Sequence, residues 1–148
     1  MSSFLPHYNT QNMVYHSKEL TLKVHPNGII EINTNENFKD ASYSVEAVEE
    51  NLAVLAKAIA GKKRASLFHF PDVYIKKELL KEYANADIQT IASALLARSF
   101  AAKFVGNLFL GLRGRLKINP EQQKRPIKVF TNQATATKWL LEHIANAK

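Results

Sequence analysis

Five histidines, His7, His16, His25, His69 and His143, are the residues of this chain best suited to proton transfer or metal ligation near neutral pH. No two are spaced i, i+3 or i, i+4, and no HExxH occurs, so no helix presents a histidine pair to a zinc ion. His69 alone falls in an apolar run, where a hydrogen-bonded core histidine is expected in preference to a ligand or base. Asp40, Asp72 and Asp87 are scattered, and Asp72, between Pro71 and a helical pattern, is expected to act as a cap. There is no GxSxG elbow, Walker loop or GxGxxG, and the chain has no cysteine, which excludes thiol nucleophiles, disulfides and cysteine zinc sites. Gly111-Leu-Arg-Gly114 is too short for a phosphate cradle and follows a helix instead of a strand. No catalytic residue, metal or cofactor is therefore expected, and the chain reads as a non-enzyme. Residues that converge only in three dimensions are the one remaining route to chemistry.

Charge offers a second kind of chemistry. The net charge is +7, but residues 1–74 carry 7 Lys/Arg against 8 Asp/Glu, whereas residues 75–148 carry 13 against 5. Arg113, Arg115, Lys117, Lys124, Arg125 and Lys128 stand within a basic, loop-like stretch and its border, opposed only by Glu121. Such a cluster is a candidate site for an anionic small molecule, a lipid headgroup or nucleic acid, and a solvated face is the competing reading. No aromatic residue lies between Gly111 and Pro126, which argues against base stacking and leaves phosphate contacts.

The elements that must position these residues follow from periodicity. Leu20, Leu22 and Val24 alternate with Thr21 and Lys23, Pro26-Asn27-Gly28 supplies a turn, and Ile29 to Ile32 follows, which predicts a hairpin. A helix is expected from about Val45 to Ala60, with Ser44 as cap, Tyr43 stapled on Val48, Gly61 as C′ residue and a stripe of Val45, Val48, Leu52, Leu55 and Ile59. Ser66 to Phe70 reads as a buried strand and Ile75 to Tyr83 as a helix. Ile88 to Leu112 reads either as one long helix or as a strand at about 91–97 followed by a helix capped at Ser99 and stopped at Gly111. Ile127 to Phe130 is strand-like, and Gln133 to Ile144, containing Trp139, is helix-like. Leu67, Phe68, Val129 and Trp139 are expected in one core against the 45–60 helix.

The helix after Ser99 has two apolar stripes, Phe100, Phe104 and Leu108 beside Val105, Phe109 and Leu112. One stripe suffices for a core helix, so Phe104, Val105, Leu108, Phe109 and Leu112 are candidate interface residues, with Phe109 taken as facing outward. The bland alternative is that the fold buries this helix on two sides.

At 148 residues with 46% hydrophobic and 22% charged residues, the chain suits one globular domain. Residues 1–16 are set apart as an N-terminal extension, either an extra strand or disordered, and 17–148 form the domain. No apolar run is long enough to span a membrane, and Met1 to Tyr8 has neither the basic nor the apolar region of a secretory signal, so a cytoplasmic home is expected.

Three stretches carry a family likeness: Ala94-Leu-Leu-Ala-Arg-Ser99, Val105-Gly-Asn-Leu-Phe-Leu-Gly111, and Val129-Phe-Thr-Asn132 with Ala136-Thr-Lys-Trp-Leu140. They resemble the STAS-like (SpoIIAA-like) family of uncharacterised bacterial proteins over roughly residues 17–145. The resemblance implies an α/β fold with a mixed β-sheet in the order ββαβαβαβα, and it selects the strand at about 91–97. It also implies a regulator that binds partner proteins, in some members controlled by phosphorylation of Ser or Thr at the start of the second helix. Here Pro71 to Glu82 contains no Ser or Thr, and Lys76 and Lys77 stand where the acceptor is expected, so no phosphorylation switch is expected. A lipid-binding role rests on fold analogy alone. The expected function is a non-enzymatic regulatory or protein-interaction module, a homodimer with a possible further protein partner. The alternative is an anion binder working through the 113–128 segment.

Overall fold

The computed structural model describes residues 13–36, 44–72, 75–115 and 124–147. The Leu20/Leu22/Val24 alternation becomes β2 (Leu20–Val24), which pairs antiparallel with β3 (Ile29–Thr34) in the register Leu22 to Ile32. The turn between them needs a left-handed residue, and Gly28 supplies it at φ 96° while Asn27 Oδ1 accepts the Ile29 N–H at 3.0 Å. β1 (Met13–His16) lies antiparallel on the outer side of β2, so the sheet begins inside the stretch set apart as an extension.

Three further strands follow, each reached through a helix. α1 (Val45–Ile59) leads to β4 (Ala65–His69), α2 (Lys77–Ala84) to β5 (Ser93–Leu96), and α3 (Phe100–Arg115) to β6 (Ile127–Phe130). α4 (Gln133–Asn146) closes the described chain. β3, β4, β5 and β6 pair in parallel, and the six strands lie side by side in chain order, β1-β2-β3-β4-β5-β6. The element order among the described residues is thus βββαβαβαβα, the expected mixed α/β order with one strand added in front.

Because side chains alternate across a strand, the sheet has two distinct faces. Leu22, Ile32, Phe68 and Leu95 face α1, α2 and α3, whereas Ile29, Leu67, Leu96 and Phe130 face α4 through Ala136, Trp139 and Leu140. The expectation that Leu67, Phe68, Val129 and Trp139 share one core is therefore corrected. Leu67 and Trp139 pack beneath α4, and Phe68 and Val129 pack on the other side of the sheet.

Local signals explain most boundaries. Ser44 Oγ accepts the Ala47 N–H at 3.1 Å and starts α1, while Tyr43 and its staple lie outside the described residues. α1 ends at Ile59, one residue earlier than expected: Ala60 is its C-cap at φ 53° with its N–H on the Ala56 carbonyl, and Gly61 follows as the expected C′ residue at φ 68°. Val45, expected on the inward stripe, is exposed at the first turn. α3 does not stop at Gly111 but runs to Arg115, because burial of Leu112 and anchoring of Arg113 on the Arg125 carbonyl outweigh the roughly 1 kcal/mol helix penalty of a glycine. Gly106 lets α3 lie close on β6, where an added Cβ would meet Val129 Cγ2 at 3.4 Å.

Candidate functional site

The outer surface of α3 is the most exposed apolar feature of the described residues. Ser99 Oγ accepts the Ala102 N–H at 3.0 Å and caps the helix, and the same hydroxyl donates to Asp72 Oδ1 at 2.9 Å. Asp72 therefore steadies the cap of α3 and does not cap α2, whose first turn begins at Lys76 without a side-chain cap. From that fixed start, Phe100 and Phe104 project on one side at helical spacing, 88% and 57% exposed. Leu108, one turn further, is half-buried.

The adjacent stripe points the other way. Val105, Phe109 and Leu112 pack with Val48, Leu79, Leu80 and Leu95, and Phe109 is only 7% exposed. The placement of Phe109 on an outward stripe is corrected: of the five candidate interface residues only Phe104 is exposed and Leu108 partly so. Burying both β-sheet-facing and α2-facing residues uses up the second stripe, which sequence periodicity could not rank against the first.

The basic segment is more engaged than a free patch. Arg125 Nη1 donates to Asp87 Oδ1 at 3.2 Å and to the Ile88 carbonyl at 2.8 Å, and its Nη2 reaches Gln89 Oε1 at 3.2 Å. Arg113 Nη2 donates to the Arg125 carbonyl at 3.2 Å, and burial lowers the Arg113 pKa from its ordinary value. The Lys128 ammonium lies 5.3 Å from the Phe130 ring centre. Lys124 is exposed. Arg115 ends α3, its side chain and Lys117 lying outside what is described. Two of the six candidate anion ligands are thus engaged within the protein: Arg125 fastens the segment before β6 to the loop before β5, and Arg113 fastens α3 to that segment.

Two polar groupings emerge that no spacing rule announces. On the α4 face, the Glu31 carboxylate accepts from His25 Nε2 at 2.9 Å and from His69 Nε2 at 2.7 Å. Burial pushes the Glu31 pKa up, but the hydrogen bonds from His25 and His69 and the histidine charges outweigh it, and the net shift is downward. His69 is hydrogen-bonded on its strand as expected. Among the described residues no cluster of three or more His, Asp or Glu is arranged to hold a metal ion.

On the opposite face, Asn51 of α1 is buried at the centre of a network. Its Nδ2 donates to Glu19 Oε1 at 2.9 Å and to the Tyr83 hydroxyl at 2.8 Å, and its Oδ1 accepts from Ser17. Glu19, only 2% exposed, has a second carboxylate oxygen with no hydrogen-bond partner. Burial, opposed by the Asn51 hydrogen bond and reinforced by the nearby Glu19 charge, raises the Tyr83 pKa to about 12. The sequence held one signal for this site. Asn51 stands three residues after Val48 and four before Leu55, a polar residue at an inward helical position.

Beside Asn51 and Tyr83 the helical layer leaves a gap over the middle of the sheet, a cavity of about 120 Å³. Phe68 and Phe70 form part of its floor, and Leu52, Leu80 and Phe109 its helical walls. Ser66 and Ser93 also line it, joined to each other by a 2.8 Å hydrogen bond. No helix of the described residues is long and apolar enough to cross a membrane. Comparison of the chain with protein-family models, with curated proteins and with solved structures finds no match in any of the three.

Proposed function

We propose that the chain is a non-enzymatic regulatory or protein-interaction module with a STAS-like fold, acting in the cytoplasm as a homodimer that docks through the first half of α3. The observation that carries this reading is the exposed pair Phe100 and Phe104 on a helix start fixed by Ser99 and Asp72. Two neighbouring aromatic side chains in water are costly for a monomer, since each buries 150–250 Å² when covered, roughly the scale on which a small interface acquires its anchor. Parallel β3 to β6 in chain order, with helices in the crossovers, agrees with the element order implied by the family resemblance.

The test is the oligomeric state. Light scattering on the full chain should report a dimer that dissociates in the Phe100→Ser/Phe104→Ser double variant while the far-UV circular dichroism stays unchanged. A wild-type monomer at high micromolar concentration defeats the homodimer reading. The basic-segment alternative has less support, because Arg113 and Arg125 are already engaged within the protein.

A further inference from the structure

The cavity above the centre of the sheet is a more specific feature than the exposed helix, and it lies on the inner side of the same α3. Its walls come from all three helices on this face and from β2, β3, β4, β5 and β6, with Phe70, Ile75 and Ile88 of the connecting segments completing them. Its effect is visible on the central strand: Leu67 is buried beneath α4, whereas its neighbour Phe68, facing three helices, remains partly accessible. The helices cover this face without filling it.

The lining dictates what such a space accepts. It is almost wholly apolar, and no Lys, Arg or His contributes to it. An anionic group would therefore enter without a counter-charge, close to the Glu19 carboxylate that Asn51 holds. Both N–H donors of Asn51 are already spent on Glu19 and Tyr83, and its Oδ1 accepts from Ser17. Tyr83 is different. Its hydroxyl accepts from Asn51, but among the described residues its own O–H donates to nothing. A partly buried hydroxyl with an uncommitted donor at the edge of an apolar space is a place for one acceptor atom.

Size sets the last limit. A cavity of about 120 Å³ is near the scale at which an engineered protein void of roughly 150 Å³ takes up benzene, and it is too small for a long acyl chain. We infer that this cavity is a binding site for a small uncharged molecule, one ring or a short branched chain, whose single acceptor oxygen receives the Tyr83 O–H. The inference is independent of the dimer reading, since none of its residues is Phe100 or Phe104.

Cyclohexanone supplies the ring and the acceptor, and methylcyclohexane is its counterpart without one. The ¹⁵N-labelled full chain, titrated with cyclohexanone, should show saturable amide shifts concentrated at Leu52, Phe68, Leu80 and Leu95. Tyr83→Phe should weaken cyclohexanone about five-fold, the loss of one ordinary hydrogen bond, and leave methylcyclohexane unchanged. Leu52→Phe, which fills the space from α1, should abolish both while the spectrum stays dispersed. Absence of saturable shifts in the wild-type protein overturns the site. Equal binding of cyclohexanone and methylcyclohexane, indifferent to Tyr83→Phe, also overturns it and reduces the cavity to a packing defect.

Discussion

Asn51 and Tyr83 share a 2.8 Å hydrogen bond that ties α1 to α2 above the sheet, with the Asn51 amide donating to the phenol oxygen. The same nitrogen donates to Glu19, so one side chain satisfies the carboxylate just before β2 and a helix hydroxyl together. Asn51→Ala strands both, along with the Ser17 hydroxyl. It should cost roughly 2–3 kcal/mol, above the ~1 kcal/mol of a typical hydrogen bond, because buried polar groups lose their partners. Urea unfolding measures this, and a loss below ~0.5 kcal/mol would show that the network is solvated.

Tyr83 also sets an alkaline limit. Its folded pKa, about 12, lies above the ordinary phenol value of 10.0. Above pH 10 the unfolded chain releases this proton more readily than the folded one, so stability falls as pH rises from there towards 12. Tyr83→Phe should flatten the fall of melting temperature between these pH values.

On the other face the sign is reversed. The Glu31 pKa is lowered in the folded protein, so its contribution is present above the ordinary glutamate value of 4.5 and lost as pH falls below it. Glu31→Gln should lower the melting temperature at neutral pH, by the equivalent of about 1–3 kcal/mol for charge-assisted hydrogen bonds. The gap between wild type and variant should narrow below pH 4.5. A gap that is constant with pH would show that the two histidines do not hold the carboxylate in solution.

The two stripes of α3 predict opposite outcomes for the same substitution. Phe109→Glu places a charge among Leu80, Val105 and Leu112 and should cost more than ~3 kcal/mol or prevent folding. Phe104→Glu should shift monomer stability by no more than ~0.5 kcal/mol and act on association alone. Equal thermal destabilisation by both would contradict the orientation of the helix.

Heparin binding separates a phosphate site from a solvated basic face. With Arg113 and Arg125 held internally, retention should be weak and lost below ~200 mM salt. Arg125→Glu should destabilise the fold by leaving the Ile88 carbonyl without its guanidinium partner. Strong retention that survives Arg125→Glu would point to Lys124, Lys128 and their neighbours as a functional patch.

Elements with strong local periodicity were legible from the residues alone. β2, β3, α1, β4 and β6 follow from alternation, a Ser44 cap and a Gly28 turn, all of which act within a few residues. Strand β5 lies in an alanine-rich run whose burial on both faces erases the period-2 signal, so alternation alone does not separate it from a helix. The site was less legible. Which stripe of α3 faces out depends on where α2 and β6 lie, and Glu31 meets His25 and His69 only through strand register. The Glu19–Asn51–Tyr83 network spans 32 residues at each step and leaves only the inward position of Asn51 as a trace.

The chain-order arrangement of the strands bears on how the molecule is made. Each strand from β2 onward pairs with the one synthesised just before it, so a nascent chain never exposes an edge that must wait for a distant partner. Assembly can advance across the sheet in step with the ribosome, with α1, α2 and α3 laid down successively on one side. The α4 side stays uncovered while the sheet forms, leaving Leu67, Ala94 and Leu96 open to water or to chaperones until Trp139 and Leu140 emerge. Premature termination before Gln133 would therefore yield a paired sheet with one bare face, a species marked for aggregation or disposal instead of slow refolding.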